Sequence, residues 1–275
     1  MAGLSAYWGL LSQEEREIAY NNNAAVAEAG ALIEERNAAS HVFRAAFGAT
    51  LDLPYGPLPR NQWDLYPAAD AQAPCLVFIH GGYWLRNRRE DFACLAEGLR
   101  AHGWSVAMPG YTLAPDIGVS GIVRELDAAL TWLAANGGQF GIAGKIILSG
   151  WSAGGHLATM LLEHPAVAAG LAISGVFELG MLRDTSLNKT LQLTDEEVAL
   201  CSPLRLPAVH KTLAIAYGSR ELPALVADSR NLHAHRAAQH APGALLPIPE
   251  ANHFSILRAL RDPQGELVRL ALGLV

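Results

Sequence analysis

Residues 150–154 read Gly150-Trp151-Ser152-Ala153-Gly154, directly after the apolar run Lys145-Ile146-Ile147-Leu148-Ser149. A G-x-S-x-G pattern carries chemical meaning where a buried strand turns sharply into a helix. The strand before it and the small-residue helix start Ala153-Gly154-Gly155-His156-Leu157-Ala158 after it supply that setting. Small neighbours let strand and helix approach, so the hydroxyl projects from the sheet edge, and Ser152 is the candidate nucleophile. Such a serine needs donors for the oxyanion of a tetrahedral intermediate, each contributing on the order of 3 kcal/mol. The apolar run Cys75–Ile79 ends in His80-Gly81-Gly82-Tyr83-Trp84, a loop that supplies backbone donors in this setting, together with the residue after the nucleophile. The amides of Gly82, Tyr83 and Ala153 are the candidate oxyanion hole.

A base and an acid must follow in the chain order serine, acid, histidine. Ten histidines are present, so position decides. His253, in Glu250-Ala251-Asn252-His253-Phe254, falls in the loop after the last strand, with a helix behind it. His80 and His156 sit inside the glycine motifs and are expected to brace loops; His233, His235 and His240 read as a polar helix face. The acid should follow the strand ending Ala216-Tyr217-Gly218. Glu221 lies in the loop at that strand end. Asp228 lies about two turns into the next helix, where a solvated face is expected. Position favours Glu221, with Asp228 as the alternative. Glu250 and Asp127 read as structural or solvated. Trp84 and Trp151 read as packing residues that could also border a substrate pocket, and Tyr83 suits an acyl pocket, a core or a dimer contact. Arg86, Arg88 and Arg89 could reach a carboxylate, although surface solvation is the expectation for each.

These residues require a scaffold, and the pattern predicts one. A capping box at Ser12–Glu15 opens a helix, an Ala/Glu-rich helical stretch runs from about Ala24 to Phe47, and Pro54-Tyr55-Gly56-Pro57 is a turn. Asn61–Tyr66 alternates as a strand. From residue 74 strands and helices alternate: strand 74–79, helix near 89–101, strand Trp104–Met108, helix near 120–135, strand 145–149, the elbow helix and strand Val167–Ser174. After a polar insert at 175–208, the rhythm resumes with strand Thr212–Tyr217, a helix over 223–240, strand Ala244–Pro247 and a C-terminal helix from Phe254. This implies an α/β fold with a mostly parallel central sheet flanked by helices, in which ligands bind beyond the carboxyl ends of the strands. The expected organisation is one domain over 1–275, with the N-terminal helical segment 1–50 and the 175–208 insert as a small helical cap.

At 275 residues, 51% hydrophobic and 17% charged, the chain can bury a sizeable core. A net charge of −6 recommends neither nucleic acid nor an anionic membrane as partner. Met1–Leu11 lacks the basic start of a secretory signal, and no apolar stretch reaches the roughly 18 residues of a membrane span. The three cysteines, Cys75, Cys94 and Cys201, lack metal spacing and read as reduced packing residues, so a cytoplasmic location is expected.

With these residues in view, the chain resembles the α/β-hydrolase superfamily, and within it the arylformamidase (kynurenine formamidase) group and its esterase-like bacterial relatives. The resemblance rests on Tyr20-Asn21-Asn22-Asn23, Tyr55-Gly56 ahead of Asp64-Leu65-Tyr66, His80-Gly81-Gly82-Tyr83-Trp84, Gly110-Tyr111-Thr112-Leu113-Ala114-Pro115 and Gly150–Gly155. It continues through Cys201-Ser202-Pro203, the Glu221 loop leading to Asp228-Ser229-Arg230, and Asn252-His253-Phe254. In that group the acid precedes a serine matching Ser229 by eight residues, which points to Glu221, though many members carry Asp there. The resemblance implies cleavage of an aryl formamide, N-formyl-L-kynurenine, to kynurenine and formate, a step of tryptophan catabolism, with no metal or organic cofactor. The alternatives are a carboxylesterase acting on small acyl esters with the same residues, and a hydrolase-fold binding protein without catalysis. A small-molecule amide or ester is the expected partner, and a homodimer is left open.

Overall fold

The structure, a computed structural model, describes residues 8–47 and 50–275. Met1–Tyr7, most of the Met1–Leu11 stretch read for a signal, and Gly48-Ala49 within the 1–50 segment lie outside the described residues. Among the described residues eight strands form one sheet: β1 (Leu53–Pro54), β2 (Gln62–Tyr66), β3 (Cys75–Ile79), β4 (Ser105–Pro109), β5 (Ile146–Trp151), β6 (Val167–Ile173), β7 (Leu213–Gly218) and β8 (Leu245–Ile248). Their order is β1-β2-β4-β3-β5-β6-β7-β8. The pairings from β4 through β8 are parallel, and the antiparallel pairings, β1–β2 and β2–β4, lie at one edge, so that β2 alone among these strands runs against the rest. The mostly parallel sheet expected from the strand–helix rhythm is therefore present.

The central strands are apolar throughout because both faces are covered. Cys75, Val77 and Ile79 point into one core cluster, and Leu76 and Phe78 into the other. The principal helices are α1 (Gln13–Ala19), α2 (Ala29–Ala45), α3 (Val119–Asn136), α4 (Ala153–Met160), α5 (Asp195–Cys201), α6 (Pro223–Ala238) and α7 (Glu266–Leu272). Leu126 and Leu130 of α3, Leu157 of α4 and Leu232 of α6 fill the first cluster. Phe92, Leu99 and, from α7, Leu267 and Val268 fill the second. The capping box at Ser12 forms as expected, with Glu15 N–H donating to Ser12 Oγ and Ser12 N–H to Glu15 Oε2.

Several elements depart from expectation. The helix near 89–101 is a 3-10 segment, Arg89–Leu95, running into a single helical turn and a half at Ala96–Arg100. The stretch from Ala24 to Phe47 is one turn, Asn22–Ala25, followed by α2. The C-terminal helix is broken: Pro263 forces Asp262 into extended backbone (ψ 123°), so short turns precede α7. In β2, Trp63–Tyr66 are all buried instead of alternating, because Phe43 of α2 packs edge-on against Tyr66 at 5.3 Å and closes the second face.

The order of strands reverses at β3, between β4 on one side and β5 on the other. That reversal opens a crevice at the carboxyl ends. The N-terminal segment and the 175–208 insert meet above this edge. Trp8 Nε1 donates to Asp184 Oδ2 at 2.7 Å, and Ser186 N–H and Oγ donate to the Glu17 carboxylate at 2.6 and 2.7 Å.

Candidate active site

Because β3, β5, β6, β7 and β8 run parallel, the residues that follow each of them emerge at one edge: the His80–Trp84 loop, Ser152, Ser174, Glu221 and His253. Ser152 has φ 58° and ψ −122°, a region that L residues occupy only when the surroundings over-determine it. Its own N–H is fastened to Ile173 O at 2.8 Å. The turn closes because a Cβ on Gly154 would sit 2.0 Å from Ile79 O, and one on Gly81 would sit 2.5 Å from Trp151 O. The glycines thus place the 80–84 loop directly on the Trp151–Ser152 peptide.

His253 Nε2 lies 3.1 Å from Ser152 Oγ, and His253 Nδ1 lies 3.1 Å from Glu221 Oε2. All three side chains are buried, which keeps water from competing for these bonds. The second carboxylate oxygen, Oε1, accepts from Ser174 Oγ at 2.5 Å and from Gly218 N–H at 2.7 Å. Glu221 is therefore held from both sides. The His253 loop is tied to the Glu221 loop by Arg220 N–H to Ala251 O at 2.9 Å, and Trp151 Nε1 donates to His253 O at 2.8 Å. The Trp151 and His253 rings lie 4.8 Å apart.

The backbone N–H groups of Gly82, Tyr83 and Ala153 form no hydrogen bond among the described residues. Ala153 opens α4, whose first N–H groups and dipole favour negative charge. Gly82 (φ 124°), Tyr83 (φ 52°) and Trp84 (φ 59°) are consecutive positive-φ residues, a strained run that persists only when its surroundings hold it. The Tyr83 hydroxyl is part of that hold: it donates to Tyr20 O at 2.7 Å and accepts from Asn22 Nδ2 at 3.0 Å. Removing it leaves both partners without that bond in a buried setting. Tyr83→Phe is expected to destabilise the protein by about 1–3 kcal/mol, measured as a shift in the urea midpoint, and an unmoved midpoint would contradict the pairing.

A cavity of about 370 Å³ opens over Ser152 and His253. Trp151 and Phe254 line it. Tyr20–Asn23 and Arg36 border it from the N-terminal segment, and Thr185–Leu187 from the insert. Trp151 thus borders the cavity, as its candidacy required. Trp84 does not: it is fully buried, and its ring packs edge-on to His156 at 5.0 Å. The loop's left-handed turn aims it into the core, so its assignment to the pocket is corrected. Asp228 is also corrected. It is 2 % exposed, not on a solvated face, and Oδ2 accepts from Phe177 N–H at 3.1 Å. Burial pushes its carboxyl up to about 8. Arg89 is likewise no surface residue: it is 4 % exposed and pairs with Asp64 at 3.1 Å and with Asp52.

His80 and His156 brace loops. His80 Nδ1 contacts Gly81 O at 3.0 Å, and its ring stacks on Tyr111 at 4.3 Å. His156 Nε2 contacts Cys201 O at 2.6 Å, linking α4 to α5. Burial pushes them down to about 3 and 4, so both are neutral. Sequence reasoning missed Ser174 and Arg36. A lone serine closing an apolar strand was the available signal for Ser174; nothing in the spacing marked Arg36. Among the described residues, no group of three or more His, Cys, Asp or Glu side chains gathers as metal ligands would, and no helix is long and apolar enough to cross a membrane. All three cysteines are buried and unpaired with one another.

Comparison with known proteins agrees with this architecture. Residues 63–166 match the profile of the family described as BD-FAE. The kynurenine formamidase of Danio rerio is 24% identical, with 98% of each chain covered. Esterase LipC of Mycobacterium tuberculosis is 26% identical over 80% of this chain and 64% of its own. A crystal structure from Silicibacter sp. TM1040, described as a candidate thioesterase, superposes with a TM-score of 0.83 at 29% identity, covering 94% of this chain and 99% of that one. The sheet covered on both faces, this strand order and these neighbours give the chain the α/β-hydrolase fold. Its likeness within that fold is to kynurenine formamidases and esterases, which supports a hydrolase.

Proposed function

We propose that the chain is a serine hydrolase cleaving an aryl formamide such as N-formyl-L-kynurenine to the arylamine and formate. Ser152 is the nucleophile, His253 the general base and then acid, and Glu221 the carboxylate that fixes the His253 tautomer and stabilises its imidazolium. His253 Nε2 takes the Ser152 proton as Oγ adds to the formyl carbon. The amides of Gly82, Tyr83 and Ala153 hold the resulting oxyanion. The intermediate collapses as His253 delivers the proton to the departing nitrogen, whose lone pair delocalises into the ring. Water, deprotonated by His253, then releases formate from the serine ester.

The observation that carries this reading is the continuous hydrogen-bonded line Ser152–His253–Glu221. Full-length likeness to a protein named kynurenine formamidase supports the choice of amide. The second reading, a carboxylesterase on small acyl esters, is favoured by the likeness to esterase LipC and uses the same residues. The N-terminal segment and the insert act as the cap of one domain in either case. The deciding experiment compares kcat/KM for N-formyl-L-kynurenine and p-nitrophenyl acetate. Efficient deformylation is expected. Ester cleavage with no deformylation would leave the esterase, and absence of both, with no labelling by a fluorophosphonate probe, would leave a non-catalytic binding protein.

A further inference from the structure

Arg36 is 9 % exposed, yet no carboxylate lies within 4 Å of it among the described residues. Buried guanidinium groups are ordinarily paired. Its Nε donates to Asp91 O at 3.0 Å and its Nη2 to Asn37 Oδ1 at 2.8 Å, which leaves Nη1 without an acceptor among the described residues. The group lies 3.9 Å over the Phe92 ring, which packs 5.9 Å from Trp151, the residue before Ser152. Arg36 also borders the cavity above Ser152. Burial pushes Arg36 down to about 10, so it stays charged at neutral pH.

A second cation reaches the same cavity. Arg86 borders it and has no ion pair among the described residues, while its stem packs against Gly82. Among the described residues the one carboxylate lining the cavity, Glu17, accepts from Ser186 N–H and Oγ. Two cations without an ion pair among the described residues thus border the cavity of a chain whose net charge is −6.

We propose that Arg36, assisted by Arg86, forms a subsite for a carboxylate on the non-reacting end of the substrate. The planar guanidinium fork suits a carboxylate's two oxygens. Substrates of this site are then anionic amides or esters, with the charge held away from the scissile carbonyl. Arg36 acts as a specificity determinant and Ser152 remains the reacting group, so the inference rests on the serine-hydrolase reading but not on the formyl preference.

The test uses a matched pair of acetyl esters, 3-acetoxybenzoate and 3-acetoxybenzamide, each efficiency divided by that ester's alkaline hydrolysis rate. The corrected kcat/KM is expected to favour the anion by on the order of 10- to 100-fold. That ratio should fall toward unity in Arg36→Gln and recover in part in Arg36→Lys, which restores charge without the fork. Arg86→Gln should lower it by less. A wild-type ratio near unity, or a ratio unmoved by Arg36→Gln, overturns the proposal. Calorimetry on Ser152→Ala protein reads binding without chemistry: tighter binding of the anionic ester, lost on adding Arg36→Gln, supports the subsite, and equal binding refutes it. If neither ester is hydrolysed, the binding measurement alone decides the subsite, and the hydrolytic reading is decided separately by deformylation and fluorophosphonate labelling.

Discussion

Ser152→Ala is expected to lower turnover of any productive substrate by at least about 10⁴-fold, with little change in KM. The effect is large because the proposed route passes through a covalent bond to Oγ, and alanine offers no atom to form it. What survives is the electrostatic environment: the free amides of Gly82, Tyr83 and Ala153, and the N-terminus of α4, would still favour an oxyanion formed by attack of water. The fold should tolerate the change. Among the described residues Ser152 Oγ bonds only to His253, and the strained backbone at φ 58° is held by the Ser152 N–H bond to Ile173 O, which alanine keeps. A melting temperature near that of the parent, together with loss of fluorophosphonate labelling, is the expected pairing. Residual turnover within about tenfold of the parent would remove Ser152 from the reaction.

The same strained turn explains why part of the site can be read from sequence. An elbow requires small residues at fixed offsets around the serine, because backbone must approach backbone, and Gly150 and Gly154 carry that requirement visibly. The alternation of apolar runs with helical stretches likewise encodes a parallel sheet, since strands covered on both faces must be apolar throughout. Once the order of elements is known, strand ends are adjacent, and Glu221 and His253 become nameable by place alone. Asp228 shows the limit of that logic. Helical position predicted solvent, but the face of α6 that carries it turns toward the Phe177 loop, and only packing reveals this. Arg36 was illegible for a related reason, meeting the site from α2 with no local spacing to mark it, whereas Ser174 left only the faint signal of a lone serine closing β6. Trp84 keeps the packing half of its reading and not the pocket half, because a positive-φ loop turns its side chain into the core.

Glu221→Gln is expected to reduce turnover by about 10³- to 10⁴-fold, because the amide can present its NH₂ to His253 Nδ1 and favour the tautomer with the proton on Nε2, where Ser152 needs an acceptor. Asp228→Asn should leave turnover little changed, since Asp228 bonds to the Phe177 backbone and not to His253. The two variants separate further in their response to pH. Asp228 is pushed up to about 8 in the folded protein by burial, against about 3.9 in an unfolded chain. Between those values the folded state holds a proton that the unfolded state has lost. This contribution to stability is full below about pH 4, declines by up to about 1.4 kcal/mol per pH unit as pH rises, and levels off above about pH 8. The asparagine variant has no such proton. Its melting temperature relative to the parent should therefore climb from pH 5 to pH 8, measured by thermal unfolding in matched buffers. A constant difference would mean that Asp228 is ionised throughout that range. A loss of turnover in Asp228→Asn matching that in Glu221→Gln would transfer the acid's role from the strand-end loop to the helix.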